Sequence, residues 1–128
     1  MRVLLDTHVL IWAFYSPERI PEGTADLLRD GRNGLLWSAI GTAELAIKVS
    51  RGKLKLKGTL ESYLQDRRGE MGFEHLPVEH RHALAMADLP LLHGDPFDRL
   101  LVAQAKVEGV PLISCDTVLR KYGIEVIW

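Results

Sequence analysis

Arg2-Val3-Leu4-Leu5-Asp6-Thr7-His8-Val9-Leu10-Ile11-Trp12 opens with a short apolar run, ends that run on an acid, and passes at once into a helical pattern. Apolar residues without polar alternation suit a strand covered on both faces, the situation of a parallel sheet. The unit recurs at Leu35-Leu36-Trp37, Pro111-Leu112-Ile113 and Val126-Ile127-Trp128, with a weaker run at Phe73-Glu74-His75-Leu76. Helical patterns fill the intervals at 7–15, 22–30, 39–50, 59–71, 79–88 and 96–108, with a short one near 116–122. Strands alternating with helices predict an α/β domain: a small, mostly parallel central sheet of four to five strands, flanked by helices. So many helices in 128 residues also predict a helical excursion on one side of the sheet.

Local punctuation agrees with this partition. Asp95-Pro96-Phe97-Asp98 offers a helix cap, a proline at the first helical position and an acid three residues after the cap. Gly109, with Pro111 beyond it, marks a helix end, and Gly31 and Gly34 bracket a turn. Pro21 fits a helix entry, with Glu22 or Thr24 as the first residue.

A length of 128 residues fits one domain spanning 1–128, with a core large enough to dispense with disulfides. With 47% hydrophobic and 26% charged residues, disorder and low-complexity classes are excluded. The single cysteine, Cys115, supports neither an internal disulfide nor a zinc framework. The first apolar run meets an acid after three residues, so neither a signal peptide nor a membrane span is expected, and the cytoplasm is the expected compartment.

Four carboxylates are informative by position. Asp6 ends the first run and Asp116 follows Leu112-Ile113-Ser114-Cys115. Both are expected at the carboxyl ends of parallel strands, where open α/β sheets bind ligands. Glu44 falls between Ile40 and Ile47 on its helix, and Asp98 shares a side with Leu101, Val102 and Ala105. An ionised carboxylate turned inward costs several kcal/mol unless it is paired, hydrogen-bonded or metal-bound. Each acid also has a structural explanation. Asp98 completes a capping box, Asp95 is a cap, Asp6 and Asp116 are turn residues, and Glu44 reaches water past a helix end. If the acids converge at one rim, they raise one another's pKa, and their hard oxygens select Mg²⁺ or Mn²⁺ over zinc. Thr7 and Ser114, beside the acids, are candidates for holding a water or a phosphate oxygen, and equally for turn or cap hydroxyls.

Three blocks taken together resemble the PIN-domain ribonucleases of the VapC type, the toxins of bacterial and archaeal toxin–antitoxin pairs. They are Leu4-Leu5-Asp6-Thr7-His8-Val9-Leu10-Ile11-Trp12, Ser38 with Glu44-Leu45-Ala46-Ile47-Lys48, and His93-Gly94-Asp95-Pro96-Phe97-Asp98-Arg99-Leu100-Leu101-Val102-Ala103-Gln104-Ala105. Asp95-Pro96-Phe97-Asp98-Arg99 is the most specific part. The resemblance covers residues 1–128 and implies a Mg²⁺- or Mn²⁺-dependent endoribonuclease. It makes Asp6, Glu44 and Asp98 the core acids and metal ligands, with Asp116 as the fourth. It also implies an RNA substrate, a homodimer, and a cognate antitoxin whose C-terminal segment lies along the active-site groove. The chain departs from many relatives at Ile40-Gly41-Thr42-Ala43, where they carry a serine and a tryptophan before the glutamate; packing is affected more than chemistry.

The net charge of −1 looks wrong for an RNA enzyme until the acids are set aside, which leaves the 16 basic residues in excess by three. Lys48, Arg51, Lys53, Lys55 and Lys57 lie between Glu44 and Glu61 with no acid among them. Lys48, Arg51 and Lys53 are therefore RNA-backbone candidates, against the alternative of a solvated loop or a lysine-protected strand edge. Leu54 and Leu56 alternate with the lysines and are expected to pack inward. Arg99 either contacts phosphate or pairs with an acid. A zinc or catalytic role for the five histidines is set aside, because His80 and His82 do not share a helix face and His8 suits a core or cap position. His93, just before Asp95, is the exception worth mutating. Trp12, Phe14 and Tyr15 close the first helix as core or as a partner surface.

Two rivals remain. A phosphatase with Asp6 as nucleophile needs an acid two residues on, where His8 stands. A non-catalytic PIN-like module would use the acidic groove only to receive a basic partner peptide.

Overall fold

The computed structural model describes residues 1–128. Five strands form one sheet in the order β3-β2-β1-β4-β5: β1 Arg2–Leu5, β2 Gly34–Ser38, β3 Glu74–Leu76, β4 Leu112–Ile113 and β5 Val126–Ile127. Every pairing is parallel, so the expected mostly parallel sheet is wholly so. Leu4 lies opposite Leu36 on one side and Leu112 on the other, which makes β1 the central strand.

The helices are α1 Thr7–Tyr15, α2 Glu22–Arg29, α3 Ala39–Ser50, α4 Leu60–Met71, α5 His80–Ala85 and α6 Pro96–Glu108. Single 3-10 turns cover Pro17–Arg19 and Met86–Asp88, and a longer 3-10 helix covers Thr117–Tyr122. The helical pattern at 79–88 is therefore divided between α5 and a 3-10 turn. The pattern near 116–122 is 3-10 throughout, with Asp116 as its cap.

Strand order explains where the helices lie. The chain steps from β1 out to β2 and β3, then returns past β1 to β4 and β5. Right-handed crossovers in opposite directions put their helices on opposite faces. Val3, Leu5, Leu35, Trp37 and Ile113 accordingly face a core with Val9, Leu10, Leu45, Tyr63 and Leu64 from α1, α3 and α4. Leu4, Leu36, Leu76, Leu112 and Val126 face the other, with Leu101, Val102 and Ala105 of α6 and Leu119 and Tyr122 of the 3-10 helix. The two-residue period of a strand makes this division, and burial on both sides is why the runs of β1, β2, β4 and β5 carry no polar alternation, whereas the edge strand β3 exposes Glu74 and His75. The reversal of strand order lies between β1 and β4, the switch point where open α/β sheets leave a crevice. No helix is long and apolar enough to cross a membrane.

Packing is tight where α3 crosses β2. Trp37 is fully buried, and its Nε1 donates to Thr42 Oγ1 at 3.0 Å. A Cβ on Gly41 would stand 2.6 Å from two carbons of the indole, so only glycine lets the helix approach this far.

Candidate active site

Asp6 leaves β1 at the switch point, 6% exposed, and caps α1 by accepting from Thr7 N at 2.7 Å. Its second carboxylate oxygen accepts from Ser114 Oγ at 2.6 Å, and Ser114 follows β4 next door. Thr7, also buried, donates its hydroxyl to Glu44 Oε1 at 2.9 Å. Helix α3 packs against both α1 and α6, which sets Glu44 opposite the first turn of α6. There Asp95 caps the helix by accepting from the Phe97 and Asp98 amides at 2.9 and 3.2 Å.

Asp98 does not complete a capping box; it takes the third position of α6 and faces the acids. Its Oδ2 lies 3.4 Å from His93 Nε2, and His93 Nδ1 is hydrogen-bonded to Tyr122 OH at 2.5 Å. Arg99 Nη1 also donates to Tyr122 OH, at 3.4 Å. If the tyrosine hydroxyl donates to Nδ1, the proton on His93 is placed on Nε2, toward Asp98.

The electrostatics follow from burial and mutual charge. Glu44 is pushed up to about 7, first by burial and then by the charges of Asp6, Asp98 and Asp95, against the lowering bond from Thr7. Asp98 is pushed up to about 6 by burial, then by Asp95 and Asp6, with His93 opposing. Three acids from three separate elements therefore sense one another at one rim.

Asp116 is attached differently. Ser114 Oγ accepts from Asp116 N at 3.1 Å, while the Asp116 carboxylate accepts from Val118 N at 3.3 Å and caps the 3-10 helix. It stands at the margin of the cluster. Arg99 forms no ion pair with an acid and holds the carbonyls of Pro90 and Met86 at 2.7 and 3.5 Å. Lys48, Arg51 and Lys53 border a cleft that Glu44 shares. His8, expected at a core or cap position, is exposed and lies against Trp12 at 5.5 Å between ring centroids. The buried histidine is instead His82, whose Nδ1 accepts from Glu79 N to cap α5. The sequence held a signal for that role in the Glu79-x-x-His82 spacing. It held none for Tyr122.

The carboxylates of Asp6, Glu44 and Asp98 and the hydroxyls of Thr7 and Ser114 are hard oxygen donors, the set that suits Mg²⁺ or Mn²⁺, with the Cys115 thiol and the His93 ring beside them. No three His, Cys, Asp or Glu side chains stand at the spacing that holds one ion directly. Glu44 and Asp98 lean on Thr7 and His93, and binding an ion would turn them from these partners. In kind and in charge the cluster fits a cation, since positive charge is what its raised carboxyls lack.

Ribonuclease VapC22 of Mycobacterium tuberculosis is 29% identical over 121 residues, 94% of this chain and 91% of that protein. Among solved structures, VapBC2 from Rickettsia felis, bound to a DNA fragment from their promoter, matches at TM-score 0.77 and 20% identity, covering 99% of this chain and 98% of that one. FitAcB from Neisseria gonorrhoeae matches at TM-score 0.67 and 24% identity, covering 98% and 96%. The family model described as the PIN domain matches residues 3–125, which takes in the first four strands but for Arg2, with the Asp6, Glu44 and Asp98 rim inside it, and the chain belongs to that family.

Proposed function

We propose that this chain is a divalent-metal-dependent endoribonuclease and the toxin of a toxin–antitoxin pair. One observation carries the reading: Asp6, Glu44 and Asp98 meet at the carboxyl end of the central strand, with Glu44 and Asp98 held above the usual carboxylate range. Likeness to a protein named a ribonuclease, and to structures named as VapBC assemblies, supports the activity and a cognate antitoxin partner. The same reading has the chain acting on RNA in the cytoplasm as a homodimer.

Asp6, Glu44 and Asp98 would hold Mg²⁺ or Mn²⁺, with Asp116 as a fourth contact from the margin. When bound, such an ion supplies positive charge against the phosphodiester and makes water there a better acid. The protein's own part is orientation. Ser114 and the Thr7 amide fix the two oxygens of Asp6, so this carboxylate enters the site in one rotamer. Thr7 Oγ1 keeps Glu44 in reach, and its hydroxyl becomes free to hold a water or a phosphate oxygen once Glu44 turns. His93 steadies Asp98 against the repulsion of Asp95 and Asp6. No side-chain nucleophile is needed.

Antitoxin-free protein incubated with RNA and Mg²⁺ or Mn²⁺ tests this. The wild type is expected to cleave, and Asp6→Asn, checked for folding by circular dichroism, to lose at least about a hundredfold in rate, the scale seen when a group positioning charge at the reacting centre is removed. Full activity in Asp6→Asn overturns the assignment. A folded wild type that leaves RNA intact with every metal, yet binds a basic peptide, would instead make this a non-catalytic groove.

A further inference from the structure

Next to the acids, between the last turns of α3 and the start of α6, lies a cleft of about 140 Å³ that shares only Glu44 with the acid cluster. Glu44, Ile47, Lys48 and Arg51 enter it at the i, i+3, i+4 and i+7 positions of one helix face, so it begins at an acid and runs toward cations. Phe97, the residue before Asp98, supplies an apolar wall together with Ile47.

The end of α3 is built to add a third cation. Gly52 adopts φ +70°, Gly52 N donates to Val49 O at 3.1 Å, and Lys53 N donates to Lys48 O at 2.8 Å. This pair of bonds is a Schellman turn, and it folds Lys53 back beside Lys48. Lys48, Arg51 and Lys53 take part in none of the protein's seven ion pairs. Three unpaired cations beside an apolar wall match a nucleotide, whose phosphate is anionic and whose base is flat and apolar on its faces. A lone anion would have no use for Phe97 and Ile47.

We propose that this cleft is a subsite for one nucleotide of single-stranded RNA, adjacent to the phosphodiester at the acids. The base lies against Phe97 and Ile47, and the phosphate is held by Lys48, Arg51 and Lys53. The subsite rests on the ribonuclease reading for its substrate class. Within the cleft, Glu44 repels the bound phosphate from the acid end and the cations hold it at the other. A base-paired strand cannot offer its base to the wall, so duplex RNA is a poorer ligand.

Binding of a fluorescent single-stranded RNA oligonucleotide in EDTA separates this claim from catalysis, because it needs neither metal nor cleavage. Phe97→Leu is expected to weaken binding about fivefold or more with the salt dependence unchanged. Lys48→Ala and Arg51→Ala are each expected to lower the slope of log affinity against log salt by about 0.7. Lys121→Ala, a cation on the 3-10 helix, is the control for non-specific attraction. Equal effects of Lys121→Ala and Lys48→Ala, unchanged affinity in Phe97→Leu, or duplex RNA bound as tightly as single strands would each overturn the subsite. A wild type that binds in this pattern but never cleaves would refute the nuclease assignment and leave the subsite standing.

Discussion

Gly41 shows how much one residue can carry. The separation of 2.6 Å between its hypothetical Cβ and the Trp37 ring is below any real contact, and Trp37 is fully buried with no room to swing aside. Gly41→Ala must therefore push α3 outward or tilt the indole. Overpacking of this kind costs roughly 1–3 kcal/mol, more than the gain of about 0.5–1 kcal/mol expected from replacing a mid-helix glycine by alanine. The packing term wins, so denaturant unfolding should show a net loss with a changed Trp fluorescence spectrum. Glu44 lies three residues on and moves with the helix, so cleavage should fall more than stability alone explains. A variant as stable as the wild type would mean that the helix has slack at this crossing.

At the scale of elements, α6 reads most directly from sequence and does most for the site. Its cap, its proline and its terminal Gly109, at φ +66°, all stand where Asp95-Pro96 and Gly109 predicted. Four of the strands were legible because short unalternated apolar runs, too brief for a helix and bounded by turn residues or acids, suit covered strands, while the polar β3 gave the weaker signal. The convergence at the rim was legible only in outline. Asp6 and Ser114 meet across 108 residues, and no local spacing encodes that bond. The Tyr122–His93 contact spans 29 residues and joins the loop before α6 to the 3-10 helix, while the Gln104–His82 contact spans 22 and joins α6 to α5, so both are products of tertiary packing. Asp95 itself does two opposed things, because its carboxylate caps α6 and its charge destabilises Asp98. Losing the cap in Asp95→Ala should cost about 1 kcal/mol in urea unfolding. Asp95→Asn retains the accepting oxygen and removes the charge, so it should cost less than half as much. Equal losses in both variants would show that the charge at the helix N-terminus, not the hydrogen bond, is what α6 requires.

For the whole molecule, the cluster predicts an unusual pH dependence in the absence of metal. Glu44 rises from 4.5 to about 7 on folding and Asp98 from 3.8 to about 6, so between these values the folded chain holds more protons than the unfolded one. Stability then falls as pH rises. The contribution of these two groups is fully present below about pH 4 and is lost by about pH 7, amounting to about 2 kcal/mol each after allowance for solvent screening. Asp30, lowered by Arg32, works in the opposite sense, but its loss is confined to pH below the ordinary 3.8. The interval from pH 4 to 7 lies above the range in which Asp30 acts, and the cluster's contribution to the thermal midpoint in EDTA should decline across it. The double variant Glu44→Gln, Asp98→Asn should flatten that decline, since its amides do not titrate. Mn²⁺ at pH 7.5 should restore what ionisation removed, because an ion that binds only the folded state adds about 2.7 kcal/mol at a hundredfold excess over its Kd. A midpoint indifferent to millimolar Mn²⁺, in a wild type that does show the acid-side stabilisation, would mean that the carboxylates repel one another without forming a metal site.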